Sequence, residues 1–222
     1  MIVAIDGPAG SGKSSVARRC SAETGLFYLN SGSFYRAVTW KVLKSGDEPT
    51  DRNAVIAAAQ SLSFSVSKNE LHIDGVIRES ELRTDQIEAW VAEHSSIPEV
   101  RDAVNRNLRH LAHGLDALVE GRDMSTVVFP EADLKIYLDA SLETRARRRF
   151  SQYRDAESVE TVRQRIVERD EVDRSKEAAP LRVAPDALYL DTSDLTIEEV
   201  CAKVVDAILQ KRTHQELQGS HG

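Results

Sequence analysis

The sequence predicts an α/β fold: a parallel sheet with helices on both faces, begun by a phosphate loop and interrupted by a small antiparallel sheet. Three observations predict it. The apolar run Ile2 to Ile5 leads straight into Gly7-Pro8-Ala9-Gly10-Ser11-Gly12-Lys13-Ser14, which fits G-x-x-x-x-G-K-[ST]. Strand-type apolar runs then alternate with helical patterns along most of the 222 residues, as parallel strands joined by crossover helices require. From about 62 to 80 the period switches to two around the turn signals Lys68-Asn69 and Asp74-Gly75, marking an antiparallel insertion.

In chain order, Ile2 to Ile5 is the first strand, and Ser15 to Glu23 reads as a helix closed by Gly25. Leu26 to Leu29 is a short strand, broken by Asn30-Ser31-Gly32 before a helix carrying Phe34, Tyr35, Val38, Trp40 and Leu43. Asn53 to Ser61 is a further helix, followed by alternating Leu62 to Val66, Leu71 to Ile73 and Val76-Ile77. Thr84 caps a helix to about His94, and Pro98 opens one to about His113, ended by Gly114. Ala117 to Glu120 and Leu134 to Leu138 are strands, and Ser141 caps an arginine-rich helix holding Arg145, Arg147, Arg148 and Arg149. Residues 151 to 185 are charged and poor in apolar side chains, with a helical stretch from Val159 to Asp173, the composition of a mobile cover. Ala187 to Leu190 is the last strand. Thr196 and Glu199 have capping-box spacing for a terminal helix to about Lys211, with a frayed tail beyond Thr213.

The loop carries the chemistry. A strand that turns sharply into a helix converges backbone N–H groups on a polyphosphate, and glycines permit the close approach. Gly7 to Ser15 would cradle ATP, Lys13 would reach the β- and γ-phosphates, and the Ser14 hydroxyl would ligate Mg²⁺. A random chain of this length would contain the pattern on the order of once in a hundred cases, so a chance glycine turn is a poor account of it.

Composition sets the remaining bounds. A charged fraction of 29% and a formal net charge of −7 argue for solubility and against a nucleic-acid backbone partner. No apolar run approaches the length of a membrane span and no leader pattern precedes the first strand, so a cytoplasmic monomer is expected. Cys20 and Cys201 sit in helical patterns without paired spacing, so they read as reduced thiols. His110 and His113 are spaced as half a metal site, and equally as a solvated helix face.

Three classes share a phosphate loop: small-molecule kinases, GTPase-like switches and ATP-driven motors or regulators. No N-K-x-D guanine reader is present. Ile136 to Asp139 fits either the strand-end aspartate of a motor or a polar strand end before Ala140-Ser141. Arg36, Arg83, Arg101, Arg122 and Arg169, in loops and at helix starts, favour a kinase acting on a phosphorylated acceptor, although each alone also reads as a solvated residue.

At these residues the chain resembles the bacterial cytidylate kinase family along nearly its whole length. The resemblance is carried by Ala4-Ile5-Asp6 with the phosphate loop, Ser31-Gly32 with Tyr35-Arg36, Ile97-Pro98-Glu99-Val100-Arg101, Glu120-Gly121-Arg122-Asp123-Met124 with Thr126-Val127-Val128-Phe129-Pro130, and Arg169-Asp170 with Asp173 and Ala179-Pro180-Leu181. It implies a P-loop NTPase-type parallel five-stranded sheet in a nucleoside monophosphate kinase fold. The implied core is 1–30, 114–150 and 186–212, with an acceptor-binding region at 31–113 and a helical lid at about 151–185. It further implies ATP-dependent phosphorylation of CMP or dCMP, with Lys13, Arg122 and Arg169 catalytic. Ser31, Arg36 and Arg122 would hold the acceptor phosphate, Arg101 and Asp123 would read cytosine, and Arg169 with Asp173 and Lys176 would serve the sugar side and lid. The chain departs from the family pattern at Asn30, Ala92, Asn105, Asn107, Ser125 and Lys176, where the family has an aspartate, a base-contacting serine, the ends of an R-R-Q run, a glycine and a lid arginine. Another kinase of the same fold, or a nucleotide-binding regulator that has lost catalysis, is the alternative.

Overall fold

Strand β1 (Ile2–Asp6) is the centre of the sheet, and its residues Val3 to Asp6 are all buried, as a parallel strand covered on both faces must be. In the computed structural model, which describes residues 1–67, 70–76, 79–151, 158–175 and 179–219, β1 pairs in parallel with β5 (Ala117–Glu120) and β6 (Leu134–Asp139). β2 (Phe27–Asn30) and β7 (Leu188–Asp191) complete a five-stranded sheet in the order β2-β5-β1-β6-β7. Because β1 is flanked by strands that follow it by more than a hundred residues, its carboxyl end lies at a topological switch point, where open α/β sheets bind ligands.

The chain divides into two compact units. The first is Met1–Tyr28 with Asp116–Gly222. Its core joins Val3 and Ile5 of β1 and Leu118, Ile136 and Leu138 of the neighbouring strands to Val16 and Cys20 of α1 (Lys13–Thr24) and Val204 and Ile208 of α8 (Ile197–Gly219). Both cysteines are free and buried, and burial pushes both thiols up, away from reactivity. A second cluster joins α6 (Leu142–Phe150) to α7 (Val159–Ser175) through Ala146, Val162 and Ile166.

The second unit is Leu29–Leu115, containing α2 (Ser31–Ser45), α3 (Arg52–Ser61), the hairpin β3 (Phe64–Ser67) and β4 (Glu70–Ile73), α4 (Asp85–His94) and α5 (Pro98–Ala112). Phe34 stacks on Phe64 at 4.4 Å, tying α2 to the hairpin. Buried His94 shares a hydrogen bond of 2.9 Å with Thr39 Oγ1, and its Nε2 lies 3.0 Å from the Pro49 carbonyl, locking α4 to α2 and the following turn. Trp90 stacks on His94 and Trp40 donates to Glu81, so both indoles pack or bond within this unit.

Helix starts follow the expected capping chemistry. Thr84 accepts from Ile87 N, Ser141 from Thr144 N, and Thr196 and Glu199 exchange reciprocal bonds. Three expectations are corrected. Asn30-Ser31-Gly32 does not separate β2 from α2: the Asn30 side chain accepts from Gly32 N, so the helix begins at once at Ser31. Val76 makes only an isolated bridge to Ile73, and Ile77 lies outside the described residues. The terminal helix runs to Gly219 rather than fraying beyond Thr213, because Gln215 Nε2 donates to Asp133 Oδ1 and Thr213 Oγ1 to Leu209 O.

Candidate active site

The phosphate loop leaves the buried end of β1 and can be built only with glycine at two points. A Cβ on Gly7 would stand 2.0 Å from the Leu138 carbonyl oxygen of β6. Gly12, at φ +91°, takes the left-handed conformation that turns the chain into α1. The start of α1 is then unlike that of every other α-helix among the described residues. It has no side-chain cap and no acidic residue in its first turn. The other seven open on Asn30, Asp51, Thr84, Pro98 with Glu99, Ser141, Ser158 and Thr196. Uncapped N–H groups at the positive end of a helix dipole fit an anion from outside the chain.

Lys13 is buried, and its Nζ donates to the Pro8 carbonyl at 2.6 Å and to Ser11 Oγ at 3.3 Å. Burial, and after it repulsion from the Arg122 guanidinium, pulls its ammonium down to about 7 against the pull of Glu120, Asp6 and Asp173. A polyphosphate would supply the negative charge that this lysine lacks. Ser14 Oγ donates to Glu120 Oε2 at 3.1 Å, and Tyr28 Oη donates to the other oxygen of the same carboxylate.

Those oxygens fit a magnesium ion. Mg²⁺ prefers hard oxygen donors and is held by one or two protein groups plus substrate phosphates and water, and the Ser14 hydroxyl and Glu120 carboxylate are such groups. Among the described residues no cluster of three or more His, Cys, Asp or Glu is placed to hold a metal ion.

Asp6 anchors the neighbouring turn. Its carboxylate accepts from Met124 N at 2.8 Å, from Ser125 N at 2.7 Å and from Ser125 Oγ at 2.5 Å. These bonds hold the π-helical turn Met124–Val128, which directly follows Arg122 and Asp123. Burial raises the Asp6 carboxyl above its ordinary value, and the Ser125 and Met124 bonds oppose the rise. Ser125, where the family pattern has glycine, thus adds a third donor to a buried carboxylate.

Arg122, Arg169 and Asp173 meet. Buried Asp173 Oδ2 accepts from Arg122 Nε at 2.8 Å and from Arg169 Nε at 3.5 Å. Burial works against the charge on Arg122, but the Asp173 carboxylate outweighs it and leaves the guanidinium raised. One turn earlier on α7, Asp170 accepts from Ala9 N at 3.1 Å and from Arg145 Nη1 at 2.6 Å, while Arg145 also donates to the Ala9 and Ala140 carbonyls. Helix α7 is therefore fastened to the phosphate loop by a carboxylate and a guanidinium that sequence patterning did not single out together. Their signal was the spacing of Val162, Ile166, Asp170 and Asp173 along one buried face. Arg147 is exposed, whereas Arg148 donates to Thr192 Oγ1 and O beside Gly12.

In the second unit, Ser31 is buried at the start of α2, and the Arg36 guanidinium folds back over the same turn, 2.8 Å from where a Cβ on Gly32 would stand. Arg36 Nε pairs with Glu88 at 2.8 Å. On α5, buried Arg101 donates to Ser95 O at 3.2 Å and lies over the Tyr35 ring at 5.6 Å. Lys176 lies outside the described residues. Asp139 ends β6 by accepting from Ala140 N and Tyr189 Oη, the polar strand end rather than a motor aspartate.

A family model described as cytidylate kinase matches residues 3–210. This chain belongs to the cytidylate kinase family. A cytidylate kinase of Mycobacterium avium is 42% identical over 219 residues, covering 95% of this chain and 96% of the relative. One from Streptomyces avermitilis is 40% identical over 218 residues, covering 96% and 94%. Among solved structures, an uncharacterized protein from Eubacterium ventriosum is 10% identical, with a TM-score of 0.53 and coverage of 95% of this chain and 98% of that one, a likeness of fold alone. The matched residues include both the phosphate loop and the Arg122-Asp123 turn.

Proposed function

We propose that this chain transfers the γ-phosphoryl group of ATP to CMP or dCMP, giving ADP and the nucleoside diphosphate. The observation that carries the reading is the cytidylate kinase family match over residues 3–210. The buried Lys13 and the Arg122 and Arg169 guanidinium groups that share Asp173 support it.

The acceptor needs no general base. A phosphate monoester loses its second proton near a pKa of about 6, so at neutral pH it is already a dianionic nucleophile. Catalysis then reduces to aligning two phosphates, excluding water and neutralising the charge that spreads as the phosphoryl group moves. The open start of α1 and the loop N–H groups would hold the ATP phosphates. Lys13 would exchange its bonds to Pro8 and Ser11 for phosphate oxygens. Ser14, with Glu120 behind it, would hold Mg²⁺, which would supply positive charge against the phosphates. Ser31, Arg36 and Arg122 would take the acceptor phosphate, Arg36 and Arg122 exchanging their carboxylate partners for it. Arg169 and Asp173 ride on α7 in the region 151–185, which would close as a lid and shut out water.

Base choice follows from donor and acceptor chemistry. Cytosine offers a 4-amino donor with N3 and O2 acceptors, which the Asp123 carboxylate and the Arg101 guanidinium complement. Uracil would set a carbonyl against that carboxylate, which disfavours UMP. The reading extends to a soluble cytoplasmic enzyme acting as a monomer; among the described residues no helix is long and apolar enough to cross a membrane.

The deciding experiment measures ADP formation from Mg·ATP with CMP, dCMP, UMP, AMP, GMP and no acceptor. Turnover confined to CMP and dCMP is expected. Preference for another acceptor would reassign the substrate, and binding without turnover would make the chain a regulator.

A further inference from the structure

Helix α5 buries one side-chain acceptor atom for which the described fold supplies no partner. Asn105 is 6% exposed, and its Oδ1 is shielded from water with no hydrogen bond. A buried acceptor left unpaired is destabilising and uncommon, so its retention calls for a reason. Apolar neighbours on the same helix, Val104 and Leu108, show that an aliphatic side chain is at home in this environment. Its place narrows the reason. Asn105 stands one helical turn after Arg101, and residues four apart share a helix face. Arg101 is itself buried, with its guanidinium over the Tyr35 ring.

We propose that Asn105 is a further base-reading residue, its Oδ1 accepting a hydrogen from the 4-amino group of the acceptor base beside Arg101. The inference rests on the acceptor reading above and deepens it. The chemistry asks for such a group. A 4-amino group carries two hydrogens, and one carboxylate oxygen takes one; in a site closed to water the second needs another acceptor. Arginine carries only donors and cannot serve, and Ala92 brings no polar side-chain atom. An amide can also turn to present its NH₂ group to the O4 of uracil. Asn105 therefore strengthens the hold on either pyrimidine, and the choice between them is left to Asp123.

Steady-state kinetics of the full chain test this with Asn105→Leu and, as a smaller replacement, Asn105→Ala. The KM for CMP is expected to rise roughly three- to tenfold, the range for losing one neutral hydrogen bond, with kcat and the KM for ATP moving less than about twofold. The CMP to UMP ratio should hold, and the leucine variant should melt no lower than the parent. An unchanged KM for CMP in a folded variant overturns the proposal. So does a joint loss of kcat, ATP affinity and melting temperature in both variants, which marks a purely structural asparagine. The parent enzyme run alongside separates the two readings: no turnover of CMP by the parent refutes the acceptor reading and the inference with it, whereas parent turnover with indifferent variants refutes the inference alone.

Discussion

The phosphate loop and the residues proposed to read the acceptor are built in opposite ways. The loop is a backbone structure: Gly7 is pressed against the Leu138 carbonyl, Gly12 turns left-handed into an uncapped helix, and the buried Lys13 side chain is held by loop oxygens. The residues proposed for the acceptor are single side chains on separate elements, Ser31 and Arg36 on α2, Arg101 and Asn105 on α5, Asp123 before a π-helical turn and Asp173 on α7. Recognition by backbone shape tolerates little change and suits a ligand part common to all nucleotides. Recognition by side chains can be altered one residue at a time, and the departures at Ala92, Asn105 and Ser125 fall in this second class.

The largest expected effect comes from breaking the first region at its buried lysine. Lys13→Ala should lower kcat by about a thousandfold or more, because a cation aimed at developing charge in a water-poor site is worth several kcal/mol. The fold should survive, since burial already disfavours the charged form of this lysine. Near-parent turnover in a single-turnover assay would remove the loop from the mechanism. A smaller effect should follow in the second region. Asp123→Asn replaces an acceptor-only group by one that can also donate, so UMP use relative to CMP should rise by about ten- to a hundredfold, the value of one or two polar contacts in a specificity pocket. An unchanged ratio of kcat/KM values would place base reading elsewhere.

The same difference governs what could be read in advance. The loop was legible because its geometry admits few residue types, and the strand and helix order followed from hydrophobic period and caps such as Thr84, Ser141 and Thr196. Arg122 and Arg169 stand out as candidate phosphate-binding arginines and Asp173 through the resemblance, but their meeting at one carboxylate oxygen is a fact of packing that no local pattern encodes. The roles of Asp6, Arg145 and Asp170 were hidden for the same reason: each bonds to a segment more than twenty residues away. The length of α8 was missed because Gln215 is held by Asp133, a contact across the sequence that overrides the weak apolar pattern of the tail.

The last effect is on stability and concerns Asp6 and Ser125, where backbone and side-chain recognition meet. The Asp6 carboxylate fixes the turn that follows Asp123, and Ser125 Oγ is one of its three donors. Ser125→Ala should destabilise the fold at pH 7 by about 1.5 to 3 kcal/mol, the worth of a hydrogen bond to a charged group. Burial raises the Asp6 carboxyl above 3.8, so between 3.8 and its folded value the native state binds more protons than the unfolded chain, and its stability falls as pH rises through that window. Losing the serine hydroxyl removes a bond that opposes the rise, which moves the upper edge of the window to higher pH. The variant's deficit should therefore be largest at neutral pH and shrink on acidification, as Asp6 becomes protonated in both proteins. Denaturant melts of parent and variant from pH 4 to 8 would measure it. A deficit independent of pH would mean that Asp6 keeps its proton throughout, and the turn after Asp123 would then be held by neutral hydrogen bonds rather than by a buried charge.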